Sequence, residues 1–405
     1  MRILLFTTAL AFTFNTITAQ VMTREDSLHA NLDPRDANTF ISGYGEIKVE
    51  YDFTDETAKA NLTRNVLFVG HRFNNKISFF SELELEDAKV AGGKAGGEIS
   101  LEQFYLKFNI CKDAYLAAGL FTPRLGIINE NHLPTTFNGN DRPYVETLVI
   151  PATWREIGIS IYGSIPQVNG LNYSVAIVNG LHADGFENGT GIREGRFEGS
   201  NATASNIAVT GSVLYYLKNF RFQVSGYYGG STGLNKRDAD SLGLESGPFG
   251  TPVSLVEADL QYTSKCFTFR ALASQVSIPE ADNINKAYAN NTPEAIFGAY
   301  AEAGINLLYL FNKETKKTLT LFARYETLDL DKTIAGNGIE NDINNKDYIV
   351  AGLTFKPIHG VAIKADYVYR KTGEPNPKLN LNQSPQAPPF SASNGFFNLG
   401  FGYSF

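Results

Sequence analysis

Residues 40–53 read FISGYGEIKVEYDF, and their side chains alternate between two kinds. Ile41, Ile47 and the other odd-numbered positions are apolar, aromatic or glycine, whereas Glu46, Lys48 and most other even-numbered positions are polar or charged. Side chains two residues apart share a face in an extended chain. The segment is therefore predicted to be a β-strand with one apolar face and one charged face.

The same two-residue period recurs to the C-terminus. It is clear in residues 77–86 and 361–370. Further segments of this kind begin near Val66, Glu98, Tyr115, Glu156, Leu171, Ile207, Phe220, Val253, Phe267, Tyr300, Leu319, Tyr348 and Gly395. Together these segments predict about 16 strands.

The connections between these segments alternate between short turns and long loops. The long connections are Thr54–Arg64, Asp87–Gly97, Thr122–Arg155, Asn179–Asn206, Gly229–Pro252, Gln275–Glu294, Leu328–Asp347 and Lys371–Asn394. Bacterial outer-membrane barrels have short periplasmic turns, longer external loops and an even number of strands. Residues 39–405 are therefore predicted to form an all-β transmembrane antiparallel up-and-down β-barrel.

The charge distribution favours this barrel over a soluble β-sandwich, the alternative for alternating strands. The apolar faces of the clearest strands carry no Asp, Glu, Lys or Arg, and a basic residue facing lipid at the bilayer midplane would cost about 2–4 kcal/mol. The opposite faces supply the predicted pore wall: Lys48, Glu82, Glu84, Glu257, Asp259, Arg270, Glu302, Arg324, Glu326, Lys364 and Arg370. So many inward charges are not expected to pair with one another, which predicts a wet interior.

Composition and the N-terminus narrow the class of protein further. The 405 residues carry a formal net charge of -7, which argues against a nucleic-acid partner. Residues 1–19 are predicted to be a secretory signal peptide, and residues 20–38 a short periplasmic segment. Cys111 and Cys266 fall in connections far apart, so both are predicted to be unpaired.

The C-terminus alternates up to its last residue, through Phe397, Leu399, Phe401, Tyr403 and Phe405. In this it resembles the outer-membrane barrel class, in which a terminal Phe preceded by alternating aromatic residues is read by the barrel-insertion machinery. The resemblance implies that Phe401, Tyr403 and Phe405 are the insertion signal. It also implies insertion into the lipid of the cell outer membrane of a Gram-negative-type bacterium.

The third long connection, residues 122–155, is the longest. Its charged or titratable residues are Arg124, Glu130, His132, Asp141, Arg142, Glu146 and Arg155. The chain resembles bacterial porins here, whose third loop folds inward and narrows the pore. The segment GLFTPRLG at residues 119–126 gives a narrower similarity to the phosphate-selective porin O/P group. The resemblance implies passive diffusion of small hydrophilic solutes, no cofactor and a homotrimer.

Pore electrostatics then follow from these assignments. Glu130, Asp141 and Glu146 on the loop are expected to face the basic wall residues Arg270, Arg324, Lys364 and Arg370 across the constriction. The alternative is that the loop stays outside with its charges solvated. The inward positions include seven basic and eleven acidic residues, which predicts weak selectivity that leans to cations, against the phosphate-selective subgroup.

Two other classes of protein remain as alternatives. A barrel enzyme such as a phospholipase or protease needs His beside a nucleophile or carboxylate. Only His71 of the five histidines falls in a predicted strand, and no nucleophile or HExxH motif occurs. The second alternative is a surface receptor or adhesin. Acidic loops around Asp238 and Asp329 could bind calcium, but such loops are more often merely solvated, so no metal site is predicted.

Overall fold

The computed structural model describes residues 38–86, 97–377 and 390–405. The predicted signal peptide lies outside the described residues. So do all of the predicted periplasmic segment except Asn38, most of the second long loop and part of the last one.

Sixteen strands form one closed sheet in which every neighbouring pair is antiparallel and follows chain order. They are β1 (Thr39–Asp52), β2 (Thr57–Arg72), β3 (Ile77–Glu86), β4 (Glu98–Cys111), β5 (Ala114–Phe121), β6 (Glu156–Ser164), β7 (Leu171–Asn179), β8 (Ile207–Leu217), β9 (Phe220–Gly229), β10 (Val253–Thr263), β11 (Phe267–Ser277), β12 (Pro293–Asn306), β13 (Thr318–Ile334), β14 (Asn345–Ile358), β15 (Val361–Thr372) and β16 (Ser393–Ser404). The predicted fold class is confirmed.

Short helices occupy several connections. Three lie in long loops, α1 (Tyr144–Leu148), α2 (Lys236–Leu242) and α3 (Ala281–Tyr288), and α4 (Leu307–Phe311) lies in the turn between β12 and β13. Within the described parts of the chain, no helix has the length and apolar character needed to cross a membrane.

The largest error in the predicted boundaries is the first long loop. Residues 57–64 continue β2, so the β1–β2 connection is only residues 53–56. A bulge explains the error, because Glu46 pairs with Arg64 while Ile47 pairs with Leu62, leaving one extra residue in β2. The extra residue interrupts the two-residue period, and the mostly polar and small residues before it hide the strand.

The two faces of the strands have opposite characters, as predicted. Ile41 and Ile99 on the outward face are 58% and 72% exposed, whereas Glu82 and Glu326 on the inward face are fully buried. The outward face continues with Leu67, Leu83, Ile159, Val175, Ile177, Val213, Val224, Val256, Leu321, Ile349, Ile363 and Leu399. The barrel is thus apolar outside and holds its charged strand residues inside, together with buried apolar residues such as Phe68, Leu255 and Phe322.

The C-terminal residue closes the barrel. The Phe405 amide donates to the Gly43 carbonyl at 3.0 Å and the Gly43 amide to the Phe405 carbonyl at 3.2 Å, which joins the chain end to β1. Phe401 and Phe405 face outward and are 46% and 68% exposed, and the rings of Tyr403 and Phe405 stack at 6.3 Å.

Both cysteines are free, as predicted.

Candidate functional site

The connection between β5 and β6, residues 122–155, lies inside the barrel, and we call it the third loop. Its Asn140 amide donates to Asp366 of β15 at 2.7 Å, and its Val145 amide donates to Glu326 of β13 at 2.9 Å. These strands lie across the barrel from β5 and β6. The loop therefore crosses the lumen and is held by carboxylates of the opposite wall.

Basic wall residues hold the same loop by its carbonyl groups. Arg270 of β11 donates to the Thr136 carbonyl at 2.6 Å, and Lys356 of β14 donates to the Thr135 carbonyl at 2.6 Å. Each of these cationic side chains is therefore a hydrogen-bond donor to the loop backbone, where a carbonyl oxygen is the acceptor. They are therefore not arrayed against loop carboxylates.

A wall glycine admits the loop closely. A Cβ on Gly298 of β12 would lie 2.8 Å from Val149 Cγ2 and 2.9 Å from Val145 Cγ1. Both valines are fully buried at or beside α1. The missing side chain thus makes room for α1 against the wall.

Arg324 of β13 is the centre of a buried ion network. Its Nε donates to Glu326 at 2.7 Å and its Nη1 to Glu302 at 3.2 Å, and its Nη2 donates to the Asp141 carbonyl at 3.3 Å. The predicted need for water is wrong for these three wall residues, because the loop and the ion pairs satisfy them. A buried pair with this many hydrogen bonds offsets the cost of desolvation.

The predicted partners of the loop carboxylates are also wrong. Asp141 forms an ion pair with Lys48 of β1 at 2.8 Å, and Glu130 pairs with Arg124 of the same loop at 2.7 Å. Of the basic residues expected opposite them, Arg270 and Arg324 donate to backbone carbonyls of the third loop, and Lys364 lies over the ring of Phe137 in that loop, 3.8 Å from its centre.

Glu146 of α1 connects two parts of the third loop and also links the loop to β12. Its carboxylate accepts from Tyr300 Oη at 2.6 Å and from the amides of Ile127 and Ile128 at 2.8 and 2.6 Å. Burial raises the pKa of Glu146 to about 7, and these three hydrogen bonds partly oppose that rise. Glu146 is a positioning group for the loop and does not meet a basic wall residue.

Three further predicted wall residues make local contacts. Asp259 pairs with Arg221 at 3.0 Å, and Glu257 accepts from Gln223 at 3.0 Å. Arg370 lies over the Phe396 ring, 5.2 Å from its centre. These residues do not line the cavity described next.

A charged cavity of about 240 Å³ lies between the third loop and β1–β3. Its basic residues are Lys48, Arg64, Arg142, Arg155, Arg193 and Arg196, and its acidic residues are Glu46, Glu84, Glu86, Asp141 and Glu198. Six cations therefore meet five anions there. Of the predicted site residues, Lys48, Glu84, Asp141, Arg142 and Arg155 are brought together.

Two of the other cavity residues, Arg193 and Arg196, were missed by the sequence analysis. Arg193 and Arg196 belong to the connection between β7 and β8, residues 180–206, which we call the fourth loop. Arg193 donates to the Thr147 carbonyl at 2.9 Å and Arg196 to the Pro151 carbonyl at 2.8 Å. No motif marks these arginines, because their role depends on how one loop lies on another.

Among the described residues, most cavity charges are paired, and Arg142 is the exception. Arg64 pairs with Glu46 at 2.9 Å, and Arg155 pairs with Glu198 at 2.8 Å. Nε and Nη2 of Arg142 have no hydrogen-bond partner within residues 38–86, 97–377 and 390–405. Burial and the nearby Arg64 guanidinium lower the pKa of Arg142. The cavity thus presents a partly buried cation that an anion could neutralise.

Comparison with known proteins places the chain in a family. No family model matches it. An uncharacterised protein of Aquifex aeolicus (strain VF5) is 30% identical over 344 residues, which cover 81% of this chain and 74% of that protein. The chain belongs to the same family as that protein.

Solved structures share the fold at low identity. Salmonella typhi OmpF in complex with daunomycin has a TM-score of 0.55 at 13% identity, covering 91% of this chain and 97% of that one. An anion-selective porin from Comamonas acidovorans scores 0.53 at 12% identity, covering 91% and 99%. The trimer form of OmpT, an outer membrane protein of Vibrio cholerae, scores 0.51 at 11% identity, covering 91% and 99%. The fold is a porin-like barrel.

Proposed function

We propose that this protein is an outer-membrane porin through which small hydrophilic solutes and ions diffuse passively. The observation that carries the proposal is the charged cavity between the inward-folded third loop and β1–β3. A barrel that is apolar outside and carries charge inside suits a position in lipid. A loop fixed within the lumen would set the size and charge of what passes.

The proposed selectivity is a weak preference for anions, which departs from the cation preference expected from sequence. Glu302, Glu326 and Asp366 are buried against the third loop, so they contribute little to the aqueous path. The cavity itself has one more cation than anion, and Arg142 lacks a partner among the described residues. Membership of the phosphate-selective porin O/P group stays a prediction.

Planar-bilayer recording of the purified protein tests both points. We expect stepwise conductance and, in a KCl gradient, a reversal potential that indicates a small excess of chloride permeability. A cation preference would overturn the proposed selectivity. Bilayers without conductance steps would overturn the porin proposal and favour a surface receptor or adhesin.

We also propose that the barrel is not an enzyme. His132 does lie beside carboxylates, but the side chains of His132, Glu82 and Glu102 have no exposed surface, so a substrate would have no access to them. Hydrolysis of phospholipid or peptide by pure protein, lost on His132→Gln, would contradict this.

The proposed assembly is a homotrimer inserted into the outer membrane by the barrel-insertion machinery. The V. cholerae neighbour described in a trimer form supports the oligomeric state, and the outward C-terminal Phe401, Tyr403 and Phe405 support the route. Light scattering of the detergent-solubilised protein is expected to give a protein mass three times that of one chain.

A further inference from the structure

A cluster of three titratable side chains lies where the third loop meets β3 and β4. Glu82 is in β3, Glu102 in β4 and His132 in the third loop, and none has exposed side-chain surface. His132 Nε2 lies 3.0 Å from Glu102 Oε2 and 4.0 Å from Glu82 Oε1. Two carboxylate oxygens and one imidazole nitrogen therefore converge on a single point.

A β-bulge creates this convergence. Glu82 pairs with Gln103 while Leu83 pairs with Leu101, so Glu102 is an extra residue in β4. Two consecutive residues, Glu102 and Gln103, are consequently both buried inside the barrel. A regular strand would place one of them on the outward face, and bulges commonly re-aim a side chain in this way.

The imidazole has the orientation of a metal ligand. His132 Nδ1 lies 3.2 Å from the Asn129 carbonyl, an acceptor, so Nδ1 carries the hydrogen. Nε2 faces the two carboxylates and lies within hydrogen-bond distance of Glu102 Oε2, so a metal ion bound there would replace the hydrogen in that contact. A metal-binding histidine characteristically donates its other ring nitrogen to a carbonyl or carboxylate.

The carboxylates are held by neighbouring donors as well. Gln103 donates to Glu82 Oε2 at 2.5 Å, and Thr153 donates to Glu102 Oε1 at 3.0 Å. Tyr44 donates to Glu102 Oε2 at 2.9 Å. The Oε1 atom of Glu82 and the Oε2 atom of Glu102 are thereby kept on the side of the imidazole.

We propose that Glu82, Glu102 and His132 bind one divalent transition-metal ion of the Zn²⁺ type. Bonds of about 2.0–2.2 Å in a tetrahedral site place neighbouring ligand atoms about 3.3–3.6 Å apart. The separations of 3.0 and 4.0 Å bracket that range, so small side-chain shifts complete the site. The ion ties the third loop to β3 and β4 with a fourth position left open.

Zinc titration of the purified full-length chain tests the site. Protein stripped with EDTA in detergent is titrated with ZnCl₂ by calorimetry, and one Zn²⁺ per chain is expected. Glu82→Gln, Glu102→Gln and His132→Gln should each weaken binding by more than about ten-fold. His359→Gln, at an exposed turn between β14 and β15, should leave binding unchanged.

The competing structure is an imidazolium hydrogen-bonded to Glu102 with no ion. Absence of stoichiometric Zn²⁺ binding, or binding that survives His132→Gln, would overturn the proposal. If that variant does not fold, anomalous scattering at the zinc edge from wild-type crystals decides the matter. A peak between the three side chains supports the site and its absence rejects it, whether or not the barrel conducts.

Discussion

At the scale of single residues, the role of each charged side chain in the lumen depends on which groups neutralise its charge. Arg324 contacts two carboxylates and a loop carbonyl, whereas Arg142 has unsatisfied nitrogen atoms among the described residues. The first arrangement stabilises the loop against the wall. The second leaves donor nitrogen atoms of Arg142 that could attract a passing anion. The same residue type thus has a structural role on the wall and a proposed permeation role in the cavity.

Removal of Arg324 should strongly destabilise the barrel. Arg324→Ala leaves Glu302 and Glu326 buried without their cation, which costs about 3–5 kcal/mol. Urea unfolding followed by the fluorescence of Trp154, the single and fully buried tryptophan, measures the change. Arg237→Ala is the control, because the Arg237 side chain is 90% exposed and its pair with Asp238 contributes little. Equal effects of the two substitutions would contradict the network.

Stability should depend on pH through Glu146. Its folded pKa of about 7 is above the ordinary value of 4.5, so the fold favours the neutral carboxyl. The contribution is complete below pH 4.5 and is lost as pH rises to about 7, by at most about 1.4 kcal/mol per pH unit. The urea midpoints of wild type and Glu146→Gln should be similar near pH 4.5, where Glu146 is neutral like Gln, and should differ increasingly toward pH 8. A parallel offset across that range would refute the assignment.

At the scale of elements, the strands were predictable and the loop contacts were not. Alternation marked β1 at residues 40–53 because one face of the strand is apolar and points outward, whereas the other points into the barrel. The first 8 residues of β2, Thr57–Arg64, lack that contrast, and a bulge shifts their period. Short-range pattern therefore predicts an element only where its two faces have different surroundings.

The candidate site shows the same limit. Sequence identified the third loop and its charged residues. Three of these, Asp141, Arg142 and Arg155, line the cavity, as do the predicted wall residues Lys48 and Glu84. The contribution of Arg193 and Arg196 depends on the packing of two loops, and the convergence of Glu102 with His132 depends on a bulge. Such placements arise from contacts distant in the chain, for which one sequence carries no local pattern.

The close packing of α1 on β12 gives a prediction for one glycine. Gly298→Ala should destabilise the protein by about 1–3 kcal/mol, since its Cβ would lie within 2.9 Å of Val145 and Val149. Gly226→Ala, whose Cβ would be 3.5 Å from the Leu255 carbonyl, should change stability by less than about 0.5 kcal/mol. Urea unfolding compares the two variants. A neutral Gly298→Ala would mean that the loop is not pressed against this wall.

At the scale of the whole molecule, the barrel joins an apolar exterior to an interior partly filled by its own loops. Wall carboxylates predicted to face water instead bind the third loop, and the remaining cavity has nearly balanced charge. The central claim is that permeating ions pass through this cavity beside Arg142. It follows that a change of charge at that position must change the current.

Cysteine modification tests this claim most directly. In a background where Cys111 and Cys266 are replaced by serine, Arg142→Cys is placed in the cavity and Arg237→Cys on exposed α2 serves as the control. Single channels are recorded in planar bilayers while a negatively charged methanethiosulfonate reagent is added. The account predicts that modification at position 142 reduces chloride current, with no change for the control. Complete modification at position 142 with unchanged current would contradict it.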